Sequence, residues 1–419
     1  MPAAARVAPA RAAARVTVVG IGADGWDGLA PAGRAAVLGA EVVIGAPRQL
    51  GLLPADVRAQ RVSWPVPLRP ALPGLLAAHA GRVRVVLASG DPMWHGIGRA
   101  LVEELGADGL HVLPHPSSVS LACAAVGWPV EDVEVLSLVA RPVASILARC
   151  HPGSRLVVLS RDASTPPAVA RLLCRNGFGP SEITVLGSLG GTGETRTSGR
   201  AESVDLERCD PLNVVAVRLV PASGVTPPGV VPGLPDELFE HDGQMTKREV
   251  RALTLCALSP SPGELLWDVG GGSGSIAIEW LRAHPRCRAV SVERDPARAA
   301  RITSNALRLG TPHLQVVAGT APAALGPLEP PDAVFVGGGL TADGVLAACW
   351  ERLRPGGRLV TNAVTLESQA EVTRLQGRLG GTLLRVDIAR QVPVGTFTGW
   401  RPAMPVVQWS VTKPMEEER

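Results

Sequence analysis

Two short stretches of the chain run an apolar strand into closely spaced glycines, an arrangement that lets a cofactor approach backbone. The first, VTVVGIGADG, spaces Gly20, Gly22 and Gly25 as G-x-G-x-x-G. The second, LLWDVGGGSGSIAIEW, spaces Gly270, Gly272 and Gly274 as G-x-G-x-G. A dinucleotide loop also needs an acidic residue about 20 residues further on, at the end of the next strand, to accept hydrogen bonds from ribose hydroxyls. The loop at Gly20 lacks it, because AEVVIGA ends in Gly45 and Ala46 and Glu41 stands at its wrong end. That loop reads as the lining of a cleft, not as a dinucleotide fingerprint. The loop at Gly270 has the acid. ELLWDV enters the turn, SIAIEWL leaves it as a helix, and RAVSVERD delivers Glu293, 19 residues after Gly274.

The tighter spacing of the second loop is that of S-adenosylmethionine-dependent methyltransferases. Their cofactor carries no pyrophosphate, so Gly270, Gly271, Gly272, Ser273 and Gly274 would admit its aminoacyl part. Asp268 precedes the turn, and Glu293 would hold the ribose diol. The fourth strand of this half, DAVFVGGG, ends without the Asn/Asp-Pro-Pro-aromatic sequence that clamps a planar base, which argues against a nucleic-acid base as substrate. The first half has its own signal in VVLASGDPMWHGIG. There Gly90-Asp91-Pro92 forms a turn that cannot continue the strand, and Gly96 and Gly98 keep the neighbourhood open.

Short apolar runs must position these loops. In the first half they fall at 15–22, 41–45, 83–89, 110–114, 133–139, 155–160, 183–189 and 213–220. They alternate with helix-like segments, as in parallel α/β sheets covered on both faces. The Pro/Gly-rich stretch 221–237 reads as a linker. A helical pattern over MTKREVRALTLCAL follows, then strands near 264–269, 288–292, 314–318, 332–336, 358–363, 382–388 and 405–412. The last two lie close together and predict an antiparallel edge hairpin.

Composition narrows the function. A formal charge of +3 and 3% aromatic residues provide no field or stacking platform for nucleic acid. Seven scattered cysteines without C-x-x-C, and eight histidines without ligand spacing, predict no metal site and a reducing cytoplasm. No apolar run reaches membrane-spanning length. Residues 1–14, rich in Ala and Arg, read as a disordered extension.

The stretches VVGIGADGWDGL, SGDPMWHGIG and HPSSVSLACAAVGWP resemble the tetrapyrrole methylase family, whose two α/β lobes bind S-adenosylmethionine between them. GQMTKREVRALTL, WDVGGGSGSIAIEW, GTAPAAL and FVGGG resemble the small class I methyltransferases of corrin biosynthesis. In this order, and with this linker, the chain is similar to the bifunctional precorrin methyltransferase family that fuses the two. The resemblance implies an α/β chain: a two-lobed tetrapyrrole-methylase domain over 15–220, split near 115, the linker 221–237, and a seven-stranded doubly wound class I domain over 238–413. It implies a tetrapyrrole substrate, precorrin-6Y, and two S-adenosylmethionine sites per chain. The amino-terminal half would methylate ring carbon 5. The carboxyl-terminal half would methylate ring carbon 15 and decarboxylate the acetate on ring carbon 12, giving precorrin-8X for cobalamin. A homo-oligomer is also implied.

Carried over residue by residue, the second cofactor site is Thr246, Gly270 to Gly274, Glu293, Thr320 and Ala321. The first is Gly20, Gly22, Gly90, Asp91, Pro92 and Ser118. Thr320 stands where relatives carry an acid, and Val139-Ala140-Arg141 where they carry His-Gly-Arg. For the substrate's carboxylates, Arg141, Arg161 and Arg401 are candidates, and Asn362, just after the fifth strand, is a candidate polar contact. Two other functions fit parts of the pattern, an RNA methyltransferase and a non-catalytic carrier of corrinoid intermediates. The unbroken 268–274 loop with Glu293 argues against the carrier.

Overall fold

A computed structural model describes residues 15–415. The expected extension over 1–14 lies outside them. The chain divides into two compact units, one of residues up to 143 with 152–225, the other of 144–151 with 226 onward.

The first unit holds two five-stranded sheets. In one, β1 (Val16–Ile21), β2 (Val42–Gly45), β3 (Gln60–Ser63), β4 (Arg84–Ser89) and β5 (Leu110–Leu113) lie in the order β3-β2-β4-β1-β5, all parallel. Alternation along β1 supplies both faces. Val16 and Val18 enter one apolar cluster, and Val19 and Ile21 enter the other. The register pairs Gly20 with Ala88 and Ile21 with Ser89, so both glycine turns leave the sheet side by side.

The second sheet departs from the parallel expectation. Its order is β6-β7-β10-β8-β9, from β6 (Val133–Ser137), β7 (Arg155–Leu159), β8 (Glu182–Gly187), β9 (Thr195–Arg200) and β10 (Asn213–Arg218). Only β6 and β7 pair parallel. The edge strands β3 (QRVS) and β9 (TRTSGR) escape an apolar-run reading because edges carry polar residues that discourage further pairing.

The second unit holds a seven-stranded sheet in the order β13-β12-β11-β14-β15-β19-β16. Its strands are β11 (Leu265–Val269), β12 (Arg288–Glu293), β13 (Gln315–Ala318), β14 (Ala333–Val336), β15 (Arg358–Ala363), β16 (Thr382–Val386) and β19 (Val406–Thr412). The first five are parallel, and β19 runs antiparallel between β15 and β16. The expected hairpin of the last two strands is therefore interrupted. Between them stands a separate two-stranded ribbon, β17 (Ala389–Val394) and β18 (Phe397–Pro402). Pro393, Gly395, Gly399 and Pro402 broke the strand pattern that would have announced it.

Chain order reverses at β11, whose neighbours are β12 and β14. A sheet of this kind opens its ligand crevice beyond the carboxyl end of that strand. Trp267 and Trp409 pack one face of the sheet and Trp280 the other, all essentially inaccessible to water.

Candidate functional site

The turn after β11 is built for close approach. Gly270, Gly272 and Gly274 have φ of 74°, 60° and 76°, a region other residues enter at a cost. Three of the four glycines are also held by packing. A Cβ on Gly270 would stand 2.6 Å from the Gly338 nitrogen, and one on Gly274 would stand 2.7 Å from Ile302 Cγ2. One on Gly271 would overlap Ser291 Oγ. Gly272 differs, because its Cβ would meet nothing closer than the Gln244 carbonyl oxygen at 3.6 Å.

Glu293 ends β12 almost buried and turns its carboxylate into this loop. It accepts from the Gly272 N–H at 2.9 Å and from the Asp295 N–H at 3.0 Å. Each oxygen keeps acceptor capacity for a further donor. Asp268 sits behind the turn instead of lining it. Burial raises its carboxyl to about 7, against hydrogen bonds from Ser291 and the Ala277 amide that favour the charged form, and the Glu293 charge adds to the rise.

The loop and Glu293 line a cavity of about 1130 Å³. Thr246, Ser273, Thr320, Ala321 and Asn362 line it too, whereas Gly274 supports the loop from beneath. Among the described residues, Lys247, Arg294, Arg298 and Arg390 also line it with Glu293 as the one acid, while Asp236, Asp242 and Glu249 pair Lys247, Arg298 and Arg390 from outside the lining.

The wall carrying Thr246 is fixed by a buried ion pair. Arg251 is fully buried and donates to Glu279 Oε1 at 2.5 Å, Asp236 at 3.1 Å and the Thr246 carbonyl at 2.7 Å. Glu279 in turn accepts from the backbone N–H groups of Gly233 and Leu234 at 2.6 and 3.0 Å. These bonds tie the end of the Pro/Gly-rich stretch to the helix Ser275–Ala283 that follows the glycine loop. Asp242 secures the neighbouring loop. It accepts from the Gln244 amide, and Arg298 at 2.8 Å and Arg301 at 3.2 Å flank it, which together hold its carboxyl at about 2.

In the first unit the structure brings together Gly20, Gly22, the Gly90 turn and the segment before Ser118. A Cβ on Gly20 would overlap the Gly90 carbonyl and stand 2.6 Å from the His115 nitrogen. A Cβ on Gly22 would stand 2.7 Å from His115 Nε2. Asp91 accepts from the Met93 N–H at 2.8 Å, closing the turn that contains Pro92. Ser118 begins a helix capped by Ser117, whose hydroxyl accepts from the Ser120 N–H. His115 Nε2 lies 3.3 Å from Asp24 Oδ2, and neither residue stood out in the sequence.

Of the three arginines expected to receive carboxylates, Arg141 and Arg161 lie together and Arg401 belongs to the other unit. Arg161 donates to the carbonyls of Val139 and Arg141. Arg141 is exposed on the same loop, and Arg401 lies on β18.

Comparison with known proteins completes this picture. A family described as the precorrin methyltransferase domain matches residues 237–413, and the tetrapyrrole (corrin/porphyrin) methylases match 15–205. The precorrin-6Y C(5,15)-methyltransferase (decarboxylating) of Sinorhizobium sp is 47% identical over 405 residues, 97% of this chain and 98% of that protein. The chain belongs to this family. The protein of the same name from Mycobacterium tuberculosis H37Rv is 47% identical over 95% of this chain and 100% of its own. A crystal structure of the C-terminal domain of precorrin-6Y C5,15-methyltransferase from Rhodobacter capsulatus is 49% identical. It covers 44% of this chain and 100% of that chain, with a TM-score of 0.42.

A member of this family is a methyltransferase that uses S-adenosylmethionine. The second unit fits that molecule on its own geometry, with a glycine cradle that side chains would fill and a carboxylate at its edge. Sequence reasoning missed Asp242, Arg298, Arg390, Asp24 and His115. Asp242-Gly243 is a turn signal just ahead of the helical pattern, and it was the one available cue to the cavity's outer wall. Among the described residues no helix is long and apolar enough to cross a membrane.

Proposed function

We propose that the chain converts precorrin-6Y to precorrin-8X by methylating ring carbons 5 and 15 and removing the acetate carboxyl on ring carbon 12. In this reading the second unit acts at carbon 15 and on the acetate, the first unit acts at carbon 5, and each binds its own S-adenosylmethionine. The observation that carries it is the cavity of the second unit. A glycine cradle and Glu293 line it, and so do Lys247, Arg294, Arg298 and Arg390, three of them anchored by Asp236, Asp242 and Glu249 outside the lining. That combination suits a ribose-bearing cofactor beside a substrate ringed with carboxylates.

S-adenosylmethionine, when bound, supplies a sulfonium methyl. Glu293 would hold the ribose diol through the acceptor capacity its backbone bonds leave unused, and Gly272 would leave room for the aminoacyl part. The nucleophile is the electron-rich bridging carbon of the substrate. Transfer of that methyl to the carbon would cleave its bond to sulfur and pass the positive charge to the ring, which would discharge it by losing a proton. No thiolate is needed. Burial lifts the thiols of Cys287 and Cys349 to about 11 and 12, and among the described residues no cysteine lines the cavity. The chain's task is to hold carbon and methyl in line and to exclude water. In the decarboxylation the bond between methylene and carboxyl breaks, its electron pair enters the conjugated ring imine, and the methylene carbon takes a proton. Cations around the cavity orient the other carboxylates while the reacting one is left in the drier interior.

The direct test is the mass of the product formed from precorrin-6Y and S-adenosylmethionine. Two methyl gains and one carbon dioxide loss are expected. Unchanged tetrapyrrole beside an active RNA-methylation assay would overturn the reading.

A further inference from the structure

A cluster of two amides and one hydroxyl lies at the cavity's edge away from Glu293. Asn362 on β15 and Gln408 on β19 are cross-strand partners, and Thr254 comes from the helix Arg248–Leu258 beneath them. Asn362 Nδ2 lies 2.9 Å from Thr254 Oγ1. Gln408 Nε2 lies 3.1 Å from the same oxygen and 3.0 Å from Asn362 Oδ1. Gln408 and Thr254 are buried, whereas Asn362 is partly exposed and lines the cavity.

Hydrogen-bond accounting fixes how both amides point. Thr254 has one hydroxyl proton, and its oxygen stands 2.8 Å from the Val250 carbonyl, which can only accept. Thr254 must therefore accept from both amides. Reversing Asn362 alone would set two NH2 groups against each other. Reversing Gln408 alone would set its oxygen against Asn362 Oδ1. Reversing both would aim two oxygens at a hydroxyl whose proton is already engaged. One arrangement survives, and in it both Gln408 protons and one Asn362 proton are engaged inside the cluster. The second Asn362 N–H is left for the cavity.

We infer that Thr254 and Gln408 are positioning residues that make Asn362 present a donor, not an acceptor, and that this N–H receives a carboxylate oxygen of the substrate. The inference rests on the proposed tetrapyrrole reading and deepens it. Location assigns the donor to the substrate instead of the cofactor. Asn362 lies on β15, three strands from β12, which carries Glu293, a separation of about 14 Å. The acceptors precorrin-6Y offers around its periphery are acetate and propionate carboxylates, and Lys247 and Arg390 line the same cavity.

Steady-state kinetics of the full chain with precorrin-6Y, read by product mass, test this beside S-adenosylmethionine affinity and melting temperature. Asn362→Asp replaces the donor with an acceptor and should raise KM for precorrin-6Y about a hundredfold. Thr254→Val frees the amide to turn and should raise it about tenfold, whereas Thr254→Ser, which keeps the hydroxyl, should stay within about twofold. Gln408→Glu puts an oxygen where the cluster needs a donor and should act like Thr254→Val, which guards against a valine variant that folds poorly. Cofactor affinity should hold in all four. An unchanged KM in Asn362→Asp, equal losses in the valine and serine variants, or a parallel fall in cofactor affinity would overturn the inference while wild-type turnover keeps the functional reading. A wild type that neither binds nor methylates precorrin-6Y would overturn both.

Discussion

The two units each turn a strand into closely spaced glycines, yet the glycines do different work. In the first unit they close on protein, with Gly20 against the Gly90 carbonyl and Gly22 against the His115 ring. In the second unit three glycines also close on protein, but Gly272 opens to the cavity. The strand that follows differs as well. β12 ends in Glu293, whose carboxylate reaches back to the Gly272 amide. β2 ends in Gly45, and the acceptor beyond it is Gln49, which takes the Ala46 N–H at 2.8 Å and donates to Ser89 at 3.0 Å. Glycine spacing thus marks where the chain bends. The acid on the neighbouring strand marks what the bend can hold.

The comparison breaks first at the packed glycines. Gly270→Ala places a methyl against the Gly338 backbone at a positive φ, and Gly20→Ala overlaps the Gly90 carbonyl. Each should destabilise its own unit by about 3 kcal/mol, read as an earlier melting transition of that unit. Gly272→Ala, facing open space, should cost about 1 kcal/mol. Equal losses at Gly270 and Gly272 would erase the distinction drawn above.

A smaller effect sharpens the chemistry. Glu293→Gln retains one acceptor for the backbone and loses the charge. S-adenosylmethionine affinity of the second unit should fall about tenfold to a hundredfold by calorimetry, with binding to the first unit unchanged.

The smallest is a pH slope. Asp268 has a raised carboxyl, so the folded state holds its proton where the unfolded chain has lost it. Its contribution to stability is full below the ordinary aspartate range and is lost as pH rises toward about 7. Denaturant titrations between pH 4 and 8 should show a decline of at most about 1.4 kcal/mol per pH unit that Asp268→Asn removes. An identical slope in the variant would show that Asp268 is charged throughout.

Legibility followed the same division. The 268–274 loop and Glu293 could be located because the strand, turn, helix and acid all fall within one continuous stretch of chain. The cavity's outer wall could not, because Arg298 is held by Asp242 and Arg390 by Glu249, each pair joining separate segments of chain. The β17–β18 ribbon was hidden by its own glycines and prolines, and β3 and β9 by their polar edges. The same limit applies to Asn362. The sequence marked it as a candidate, but its orientation depends on Thr254 and Gln408, 108 and 46 residues away.

The central claim is that the two units perform separable methyl transfers. Gly272→Arg tests it most directly, because the side chain would enter the second cavity from the one glycine with room for it. Mass spectrometry of the product from precorrin-6Y and S-adenosylmethionine should show one methyl gained and no carbon dioxide lost, where wild type shows two and one. Loss of both methylations with the first unit still folded and binding cofactor, or retention of both, would contradict the account.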